Sequence, residues 1–321
     1  MNRVSANLNR LLRLLSLILL VTGLTAAQGL QPAGPKRPVT VPEDYVITPF
    51  GYFHPTCVKQ LDDGDVLLQD DKAIQHVDGS FDSMSVCAYP HFDVRGEVFA
   101  ADAAAVEPPS ISYGWIESAS GTTTSSYGEL TANWKVPPAP TANNGQTVYF
   151  FPGMEDYKDV VTILQPVLGW NSDFSAAWGI ASWNCCVTGT VYESSSVSVK
   201  AGDMIHGTIK NTCNAGRLSC SSWNITTQDV TTGKSTTLSK SSSQGQTFNW
   251  AFAGALEVYS IDQCSDYPPN GSLVFSNLAL YNDSFKIISN PGWSVTNSAS
   301  GLTPQCNYGG KETATQATLT Y

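Results

Sequence analysis

Beyond residue 27 the chain is a succession of short alternating or continuously apolar runs, separated by Gly, Asn, Ser and Pro, with almost no helical periodicity. Alternation with a period of two is typical of β-strands, and evenly spaced strands without intervening helices indicate an antiparallel sandwich or barrel. We therefore predict an all-β fold, an antiparallel double-sheet β-sandwich. The predicted strands lie in GELTANWKV, QTVYFFPG, VVTILQPVLGW, AAWGIASWNCC, SVSVKAGDMIHGTI, SSWNITTQDVTTGKSTTL, TFNWAFAGALEVYSI, GSLVFSNLALYN and ATQATLTY, with turns at KAGD and TTGK.

The first 27 residues are typical of a targeting signal and not of a folded element. Arg3, Arg10 and Arg13 precede the apolar run LLSLILLVTGLTAA, and the small residues Thr25 and Ala27 suit a cleavage site. The apolar core is too short for a comfortable membrane span. We predict a signal peptide at 1–27, with an uncleaved anchor as the alternative. The mature protein is then exported to the extracellular medium and not held in a membrane.

Charge and cysteine content narrow the class of protein. The formal net charge is −10, and only 14% of the residues are charged. This acidic balance argues against binding to a phosphate backbone, so we expect no nucleic-acid partner. All eight cysteines follow the signal, and an even number in an exported chain favours disulfides. Three sequons would be glycosylated in a eukaryotic host, at Asn224, Asn270 and Asn282.

A domain boundary is predicted near residues 100–112, where FAADAAAVEPPSIS is rich in Ala and Pro and lacks turn signals. Residues 28–110 are then an N-terminal segment, either a removable pro-segment or a small subdomain with its own cystine. The simplest pairing within it joins Cys57 to Cys87. Residues 111–321 form the predicted sandwich domain.

The sandwich region holds the other six cysteines, whose pairing the sequence leaves undetermined. Cys213 and Cys220 flank NAGRLS and form a natural short loop. Two adjacent cysteines of one strand point to opposite faces, so Cys185 and Cys186 could bond separately to Cys264 and Cys306.

Several kinds of catalytic chemistry find little support. No G-x-S-x-G motif exists for a serine nucleophile, and exported thiols are expected to be oxidised. His206, the one histidine of the sandwich region, reads as a packed or strand-surface residue. The others, His54, His76 and His91, are scattered, and no H-x-x-x-H or C-x-x-C pattern occurs. The acidic run LDDGDVLLQDD is more typical of a solvated loop than of a calcium site. We expect neither a metal nor a cofactor.

Two polar residues interrupt the most apolar strands. Gln165 lies in VVTILQPVLGW, and Glu257 lies in NWAFAGALEVYSI. A buried amide is costly unless its groups find partners, and a desolvated glutamate has a raised pKa, which suits a general acid or base. The alternatives are a satisfied amide that bridges strands and a strand with one polar face. One shared polar site explains both residues more economically than two unrelated intrusions.

Five segments in matching order resemble the eqolisin, or glutamic peptidase, family of the scytalidoglutamic peptidase type, over about residues 112–281. TILQPVLGW resembles the family's AILQTG strand and selects Gln165 as the catalytic glutamine. FAGALEVYSIDQC resembles NAEFIIEDFEEC and selects Glu257 as the catalytic glutamate. YFFPGMEDY resembles WVGIDGD and puts Glu155 where the family has an aspartate lining the cleft. LTANWKVPPAP and VSVKAGDMIHGTI resemble further family segments.

The resemblance implies a secreted endopeptidase with a concanavalin-like sandwich whose concave face binds a polypeptide. Gln165 and Glu257 would project from neighbouring strands and share one water, with Glu257 moving its proton and Gln165 stabilising the oxyanion. Activity is expected in acid, from a monomer. Trp170, Trp178 and Trp183 line subsites or pack in the core. AWGIASWNCC lacks the acid of the corresponding family strand, AWYEWYP, which leaves the subsite chemistry open.

Two other classes of function compete with a peptidase. A secreted carbohydrate-binding sandwich would use exposed tryptophans without catalysis. A glycoside hydrolase on a similar fold would need two carboxylates about 5–10 Å apart, for which Glu155 and Glu257 are the candidate pair. The sequence lacks the E-x-D-x-E strand expected of such a hydrolase.

Overall fold

The structure is a computed structural model in which Gly34–Tyr321 forms one compact unit. It describes the residue ranges 37–68, 73–101, 114–158, 162–185, 189–297 and 304–321. The predicted signal peptide lies outside the described residues, as does most of the predicted linker.

Candidate catalytic residues lie on one nine-stranded sheet, here called the front sheet. In spatial order its strands are β21 (Ser294–Asn297), β9 (Trp115–Thr122), β19 (Trp250–Tyr259), β11 (Thr147–Glu155), β12 (Ile163–Trp170), β13 (Trp178–Cys185), β14 (Val191–Ser194) and β3 (Val58–Leu61), with β15 (Val197–Val199) also paired to β13.

A ten-stranded back sheet packs against the front sheet, and a small cover sheet of four strands completes the described residues. The back sheet runs in the order β22 (Gly309–Thr313), β23 (Gln316–Thr320), β20 (Ser272–Asn282), β10 (Tyr127–Lys135), β16 (Met204–Asn211), β17 (Ser222–Asp229), β18 (Ser235–Ser242), β4 (Val66–Leu67), β5 (Ala73–Gln75) and β6 (Phe81–Ser83). The cover sheet consists of β1 (Val46–Thr48), β2 (Gly51–Phe53), β7 (His91–Phe92) and β8 (Val98–Phe99). Two short 3₁₀ turns lie at Pro55–Cys57 and Cys264–Asp266.

The burial pattern distinguishes the two large sheets. Strands β10, β16 and β17 of the back sheet alternate between buried and less buried positions. Strands β11, β12 and β13 of the front sheet are buried at every position. Alternation is typical of a sheet with one solvated face, and continuous burial of a sheet covered on both faces. The inner face of the front sheet packs on the back sheet, and residues of the N-terminal segment cover its outer face.

Residues of the predicted N-terminal segment are joined to both large sheets. Strand β3 pairs with β14 in parallel, and β4 makes a parallel contact with β18. The Asp63 carboxylate accepts a hydrogen bond from the Thr237 backbone amide, and the Gln60 amide donates to the Ser195 hydroxyl. The ladders between consecutive sandwich strands are antiparallel, as predicted. The division at residue 110 stays a prediction.

Three disulfides have both cysteines within the described residues, and they bear on the pairings that the sequence suggested. Cys57 bonds to Cys87 and Cys213 bonds to Cys220, which confirms both short-range predictions. Cys264 bonds to Cys306, which excludes the suggested alternative of separate bonds from these two to Cys185 and Cys186. The ends of the long Cys264–Cys306 loop meet because that loop returns to the same edge of the molecule, a closure that cysteine spacing does not reveal. Cys185 is also disulfide-bonded.

The predicted sandwich strands and both turns are confirmed, with additions. Strand β9 at the front-sheet edge was not predicted, because WIESASGT mixes small and polar residues. The strands of residues 46–99 are two to four residues long and were not predicted either. Within the described residues, no helix has the length and apolar character needed to cross a membrane.

Candidate active site

Gln165 lies in the middle of β12 and is fully buried. Pro166 follows it on the opposite face, where its ring packs against Gly207 of β16. A Cβ atom at Gly207 would lie 2.7 Å from the Pro166 Cγ, so glycine makes room for the ring. The run VVTILQPVLGW therefore turns Pro166 into the sandwich core and Gln165 away from it.

Strand registers place Gln165, Glu155 and Glu257 on the same face of the front sheet. Tyr149 of β11 lies opposite Glu257 of β19 and opposite Gly169 of β12. Side chains alternate along a strand, so residues an even number apart share a face. Gln165 is four residues from Gly169, and Glu155 is six residues from Tyr149. The prediction of neighbouring strands is wrong, because β11 lies between β12 and β19.

Bulges bend the strands that carry the two carboxyl groups. Along a straight β11, the levels of Glu257 and Glu155 would be about 20 Å apart. Register shifts occur between Phe151 and Gly153 on the β19 side of β11, and between Leu256 and Glu257 on the β9 side of β19. Such bulges bend a strand and increase its twist. Burial raises the pKa of Glu257, and the charge of Glu155 adds to this rise.

These three side chains have an unusual lack of hydrogen-bond partners. Glu155, Gln165 and Glu257 are each 0% exposed. Both carboxylate oxygens of Glu155, both amide atoms of Gln165 and the Oε2 atom of Glu257 have no partner. An unpaired buried polar group costs about 1–3 kcal/mol, so most native proteins contain few of them. Glu155, Gln165 and Glu257 share one face of the front sheet, where a bound molecule would supply the missing partners.

Burial dominates the electrostatics of this face. Desolvation raises the pKa of Glu155 and of Glu257 well above the ordinary value of 4.5. The Tyr259 hydroxyl donates a 2.6 Å hydrogen bond to Glu257 Oε1, and this bond and the Trp115 side chain oppose part of the rise. Tyr259 was not predicted as a site residue, although its spacing of two from Glu257 puts it on the same face.

The cover sheet and its flanking residues lie directly over this face. Tyr52 packs edge-on against Tyr259 with ring centroids 5.5 Å apart, and Phe50 packs against Trp183 at 6.4 Å. The Tyr149 hydroxyl donates to the Ile47 backbone carbonyl at 3.5 Å. These contacts belong to a second apolar cluster, separate from the core between the two large sheets. The N-terminal segment therefore excludes solvent from the candidate site.

The three predicted subsite tryptophans divide between the two faces of the front sheet. Trp183 lies opposite Gln165 across the β12–β13 ladder, and it contacts the cover through Phe50. Trp170 and Trp178 pair with each other and pack in the core between the sheets. The structure brings Trp183 to Gln165 and keeps the other two apart from it.

Two further acids extend the polar character of the outer face, and the sequence reasoning missed both. Glu193 of β14 lies opposite Trp183, and burial raises its pKa to about 8, with a contribution from Asp173. Burial raises the pKa of Tyr149 well above 10, and the charges of Asp173, Glu257 and Glu193 add to this rise. Glu193 is two residues from Val191, a spacing that puts both side chains on the same face of a strand. This signal could not be used, because β14 itself was not predicted.

The histidines take structural positions. His206 is half-buried, and its ring contacts the Asn133 and Thr208 side chains, which confirms the packed, strand-surface interpretation. His76 lies between two carboxylates, 3.0 Å from Asp65 and 3.3 Å from Asp82, and these raise its pKa. In the described part of the chain, no group of three His, Cys, Asp or Glu side chains is arranged to hold a metal ion.

Comparisons with known proteins give matches among solved structures alone. No family model and no curated protein matches the chain. Scytalido-glutamic peptidase in complex with a peptide-based transition-state analogue matches with a TM-score of 0.47 and 16% identity, over 64% of this chain and 98% of that one. SCP-B, an eqolisin-family peptidase in complex with the tripeptide Ala-Ile-His, matches with a TM-score of 0.46, 16% identity and the same coverage of both chains. Tailspike protein 2 of bacteriophage CBA120 matches with a TM-score of 0.29 and 14% identity, over 50% of this chain and 23% of that one. The matches thus include members of the family that the five sequence segments resemble.

Proposed function

We propose that this chain is a secreted endopeptidase of the glutamic type, in which Glu257 and Gln165 activate a water molecule against a peptide bond. The observation that carries the proposal is the group of unpartnered amide and carboxyl atoms of Glu155, Gln165 and Glu257, buried on one face of one sheet. Hydrolysis needs a group that accepts a proton and a donor for the oxyanion, and a carboxylate and an amide supply both.

In the proposed reaction Glu257 moves one proton in each half, and Gln165 stabilises the oxyanion that forms between them. Glu257 accepts a proton as the water oxygen bonds to the peptide carbonyl carbon, while the Gln165 amide N–H donates to the developing oxyanion. The tetrahedral intermediate then collapses, the C–N bond breaks, and Glu257 returns the proton to the leaving amine. The products are a carboxylic acid and an amine. Glu155 and Trp183 are proposed to contact the bound polypeptide.

Protonation explains why the covered form would be idle. A general base must be ionised, and burial raises the pKa of Glu257 well above 4.5, so the covered carboxyl is neutral in acid. Admitting water would remove most of the desolvation and lower this pKa towards its ordinary value. Ionised Glu257 would then be available at mildly acidic pH, and the rate would fall as the pH drops through its pKa.

We further propose that residues 28–110 act as a pro-segment. Tyr52, Phe50 and Ile47 occupy the outer face on which a polypeptide would lie. The fully buried site cannot bind a polypeptide until these residues move. Export is part of this proposal, and the disulfides are typical of proteins that fold outside reducing compartments.

The test is casein digestion in acidic buffer by the purified, acid-treated protein and its variants. Glu257→Gln should lower kcat about 10²–10⁴-fold because the base is lost, and Gln165→Ala about 10²–10³-fold because the oxyanion loses a donor. Glu155→Gln should mainly raise KM. Glu117→Gln is the matched control: Glu117 is equally buried, but it lies on the inner face of the sheet, and its replacement should leave activity intact.

The same preparation decides between the peptidase and a glycoside hydrolase. That alternative is favoured by one observation, the effect of the Glu155 charge on the pKa of Glu257. Release of reducing sugar from polysaccharides, lost in both Glu155→Gln and Glu257→Gln while casein stays intact, would establish the hydrolase and overturn the peptidase. Full casein digestion by Glu257→Gln would also overturn the proposed peptidase mechanism.

A further inference from the structure

The hydrogen bond between Tyr259 and Glu257 joins two fully buried side chains on one strand and one face. The Tyr259 hydroxyl lies 2.6 Å from Glu257 Oε1, and both residues are 0% exposed. Burial and the neighbouring Glu257 charge raise the pKa of Tyr259 well above 10, so its phenol keeps its proton and remains a donor. A hydrogen bond to an ionised acceptor is about twice as strong as a neutral one.

Tyr259 contacts one of the two carboxylate oxygens of Glu257 and leaves the other free. Glu257 Oε2 has no partner in the described structure. The terminal torsion of a glutamate has a broad and roughly two-fold distribution. An unanchored carboxylate would therefore rotate about this bond and exchange the positions of its two oxygens. The phenol removes this freedom, because Oε1 is fixed and Oε2 is the oxygen left to take a proton.

The Tyr259 ring is itself held on two sides. Tyr149 packs edge-on against it with centroids 6.2 Å apart, and Tyr52 of the cover packs edge-on at 5.5 Å. Tyr149 lies on β11, directly opposite Glu257, and stays with the sheet when the cover moves. The position of the hydroxyl is therefore set by the front sheet.

We infer that Tyr259 is a positioning residue for Glu257. Its hydroxyl anchors Glu257 Oε1, and Glu257 Oε2 then faces the reacting water. This inference rests on the proposed function. It assigns to this chain a fixed proton-accepting oxygen. The phenol and the Trp115 side chain together keep the carboxylate ionisable within an apolar site.

The test compares Tyr259→Phe with the control Tyr127→Phe in the acid-treated full chain. Tyr127 is also buried and donates one hydrogen bond, to the Gly121 carbonyl, but it packs in the core between the sheets. Tyr259→Phe should lower kcat about 10–100-fold with KM unchanged, because a small misplacement of a catalytic group costs up to about 10²-fold. Tyr127→Phe should change stability alone.

The pH profile separates positioning from simple support of the fold. The phenol lowers the pKa of Glu257, so its removal should move the acidic limb of kcat to higher pH, whereas a merely structural loss would leave the limb in place. An infrared titration of the protonated Glu257 carboxyl, identified by its loss in Glu257→Gln, should show the same upward shift without any substrate.

The outcomes distinguish this inference from the proposed function. An unchanged kcat and unmoved acidic limb in Tyr259→Phe, with Glu257→Gln inactive, would overturn the positioning role and leave the peptidase standing. A shifted infrared titration together with full peptidase activity in Glu257→Gln would overturn the peptidase. A loss of kcat with a shifted limb in Tyr259→Phe supports both.

Discussion

Glu117 is a buried acid on the inner face of the front sheet, outside the candidate site. It lies on β9 opposite Leu256, and neither carboxylate oxygen has a partner of normal geometry. Burial raises its pKa to about 8, and the nearby Gly309 and Thr320 amides oppose only part of this effect. An unpaired acid in a core therefore marks a site only when other groups converge on it, as they do around Glu257.

The raised pKa of Glu117 makes stability depend on pH in a defined direction. The folded chain binds this proton more tightly than the unfolded chain, so the stabilisation is complete below about pH 4.5 and is lost as the pH rises through about 8. Between pH 5 and pH 9 the wild type should lose about 1–4 kcal/mol more unfolding free energy than Glu117→Gln. Urea unfolding at both pH values measures the difference, and parallel curves for the two proteins would contradict the assignment.

The cover sheet holds a histidine, His91, that lowers stability in acid, whereas Glu117 lowers stability at high pH. His91 of β7 stacks between Phe53 and Phe99, with ring centroids at 4.8 Å and 5.2 Å, and its Nδ1 atom has no partner. Burial lowers its pKa from 6.5 to about 4. Folding of the cover therefore requires a neutral ring, and the element that covers the candidate site is the one that acid weakens.

His91→Phe should make the cover resistant to acid. In the wild type, the stability that a neutral His91 provides is present above pH 6.5 and is lost as the pH falls through about 4, because the unfolded segment binds the proton more readily. A phenyl ring keeps the stacking and cannot be protonated. Hydrogen exchange of β2 and β7 amides at pH 4 should be slower in His91→Phe than in the wild type, and the two should agree at pH 7.5. Equal exchange at pH 4 would contradict this role.

At the scale of the whole molecule, the N-terminal residues complete the fold of the sandwich. They supply a parallel neighbour to β14, a contact to β18 and the apolar cover over the front sheet. The Cys57–Cys87 bond lies wholly within them, so no disulfide of the described structure ties them to the sandwich. Their attachment is non-covalent apart from the chain itself.

Cleavage between the segment and the sandwich should therefore release the segment in acid. A specific protease site placed within residues 102–113 and cut at pH 7.5 should leave the two parts associated and inactive, because the paired strands and buried apolar surface remain. Acidification to about pH 4 should separate them on gel filtration and produce casein digestion, since His91 then takes up a proton. The uncut protein treated identically is the control. Full activity of the cut, still associated complex at pH 7.5 would show that the segment does not block the site.

The sequence by itself determined the long strands from β10 onwards, the sandwich class and the two short disulfide loops, because alternation, turn residues and short spacings are local properties. It did not reveal β9, β14 or the short strands of residues 46–99. The sequence also indicated on which face of a strand several side chains lie. Trp170 is an odd number of residues from Gln165 and so lies on the opposite face, and Tyr259 is an even number from Glu257 and so shares its face. Only the tertiary structure decided that VVTILQPVLGW is covered on both faces, that Cys264 meets Cys306, and that Glu155, Gln165 and Glu257 share one face. These outcomes depend on strand order, bulges and the docking of a distant segment, which arise from contacts between residues far apart in the chain.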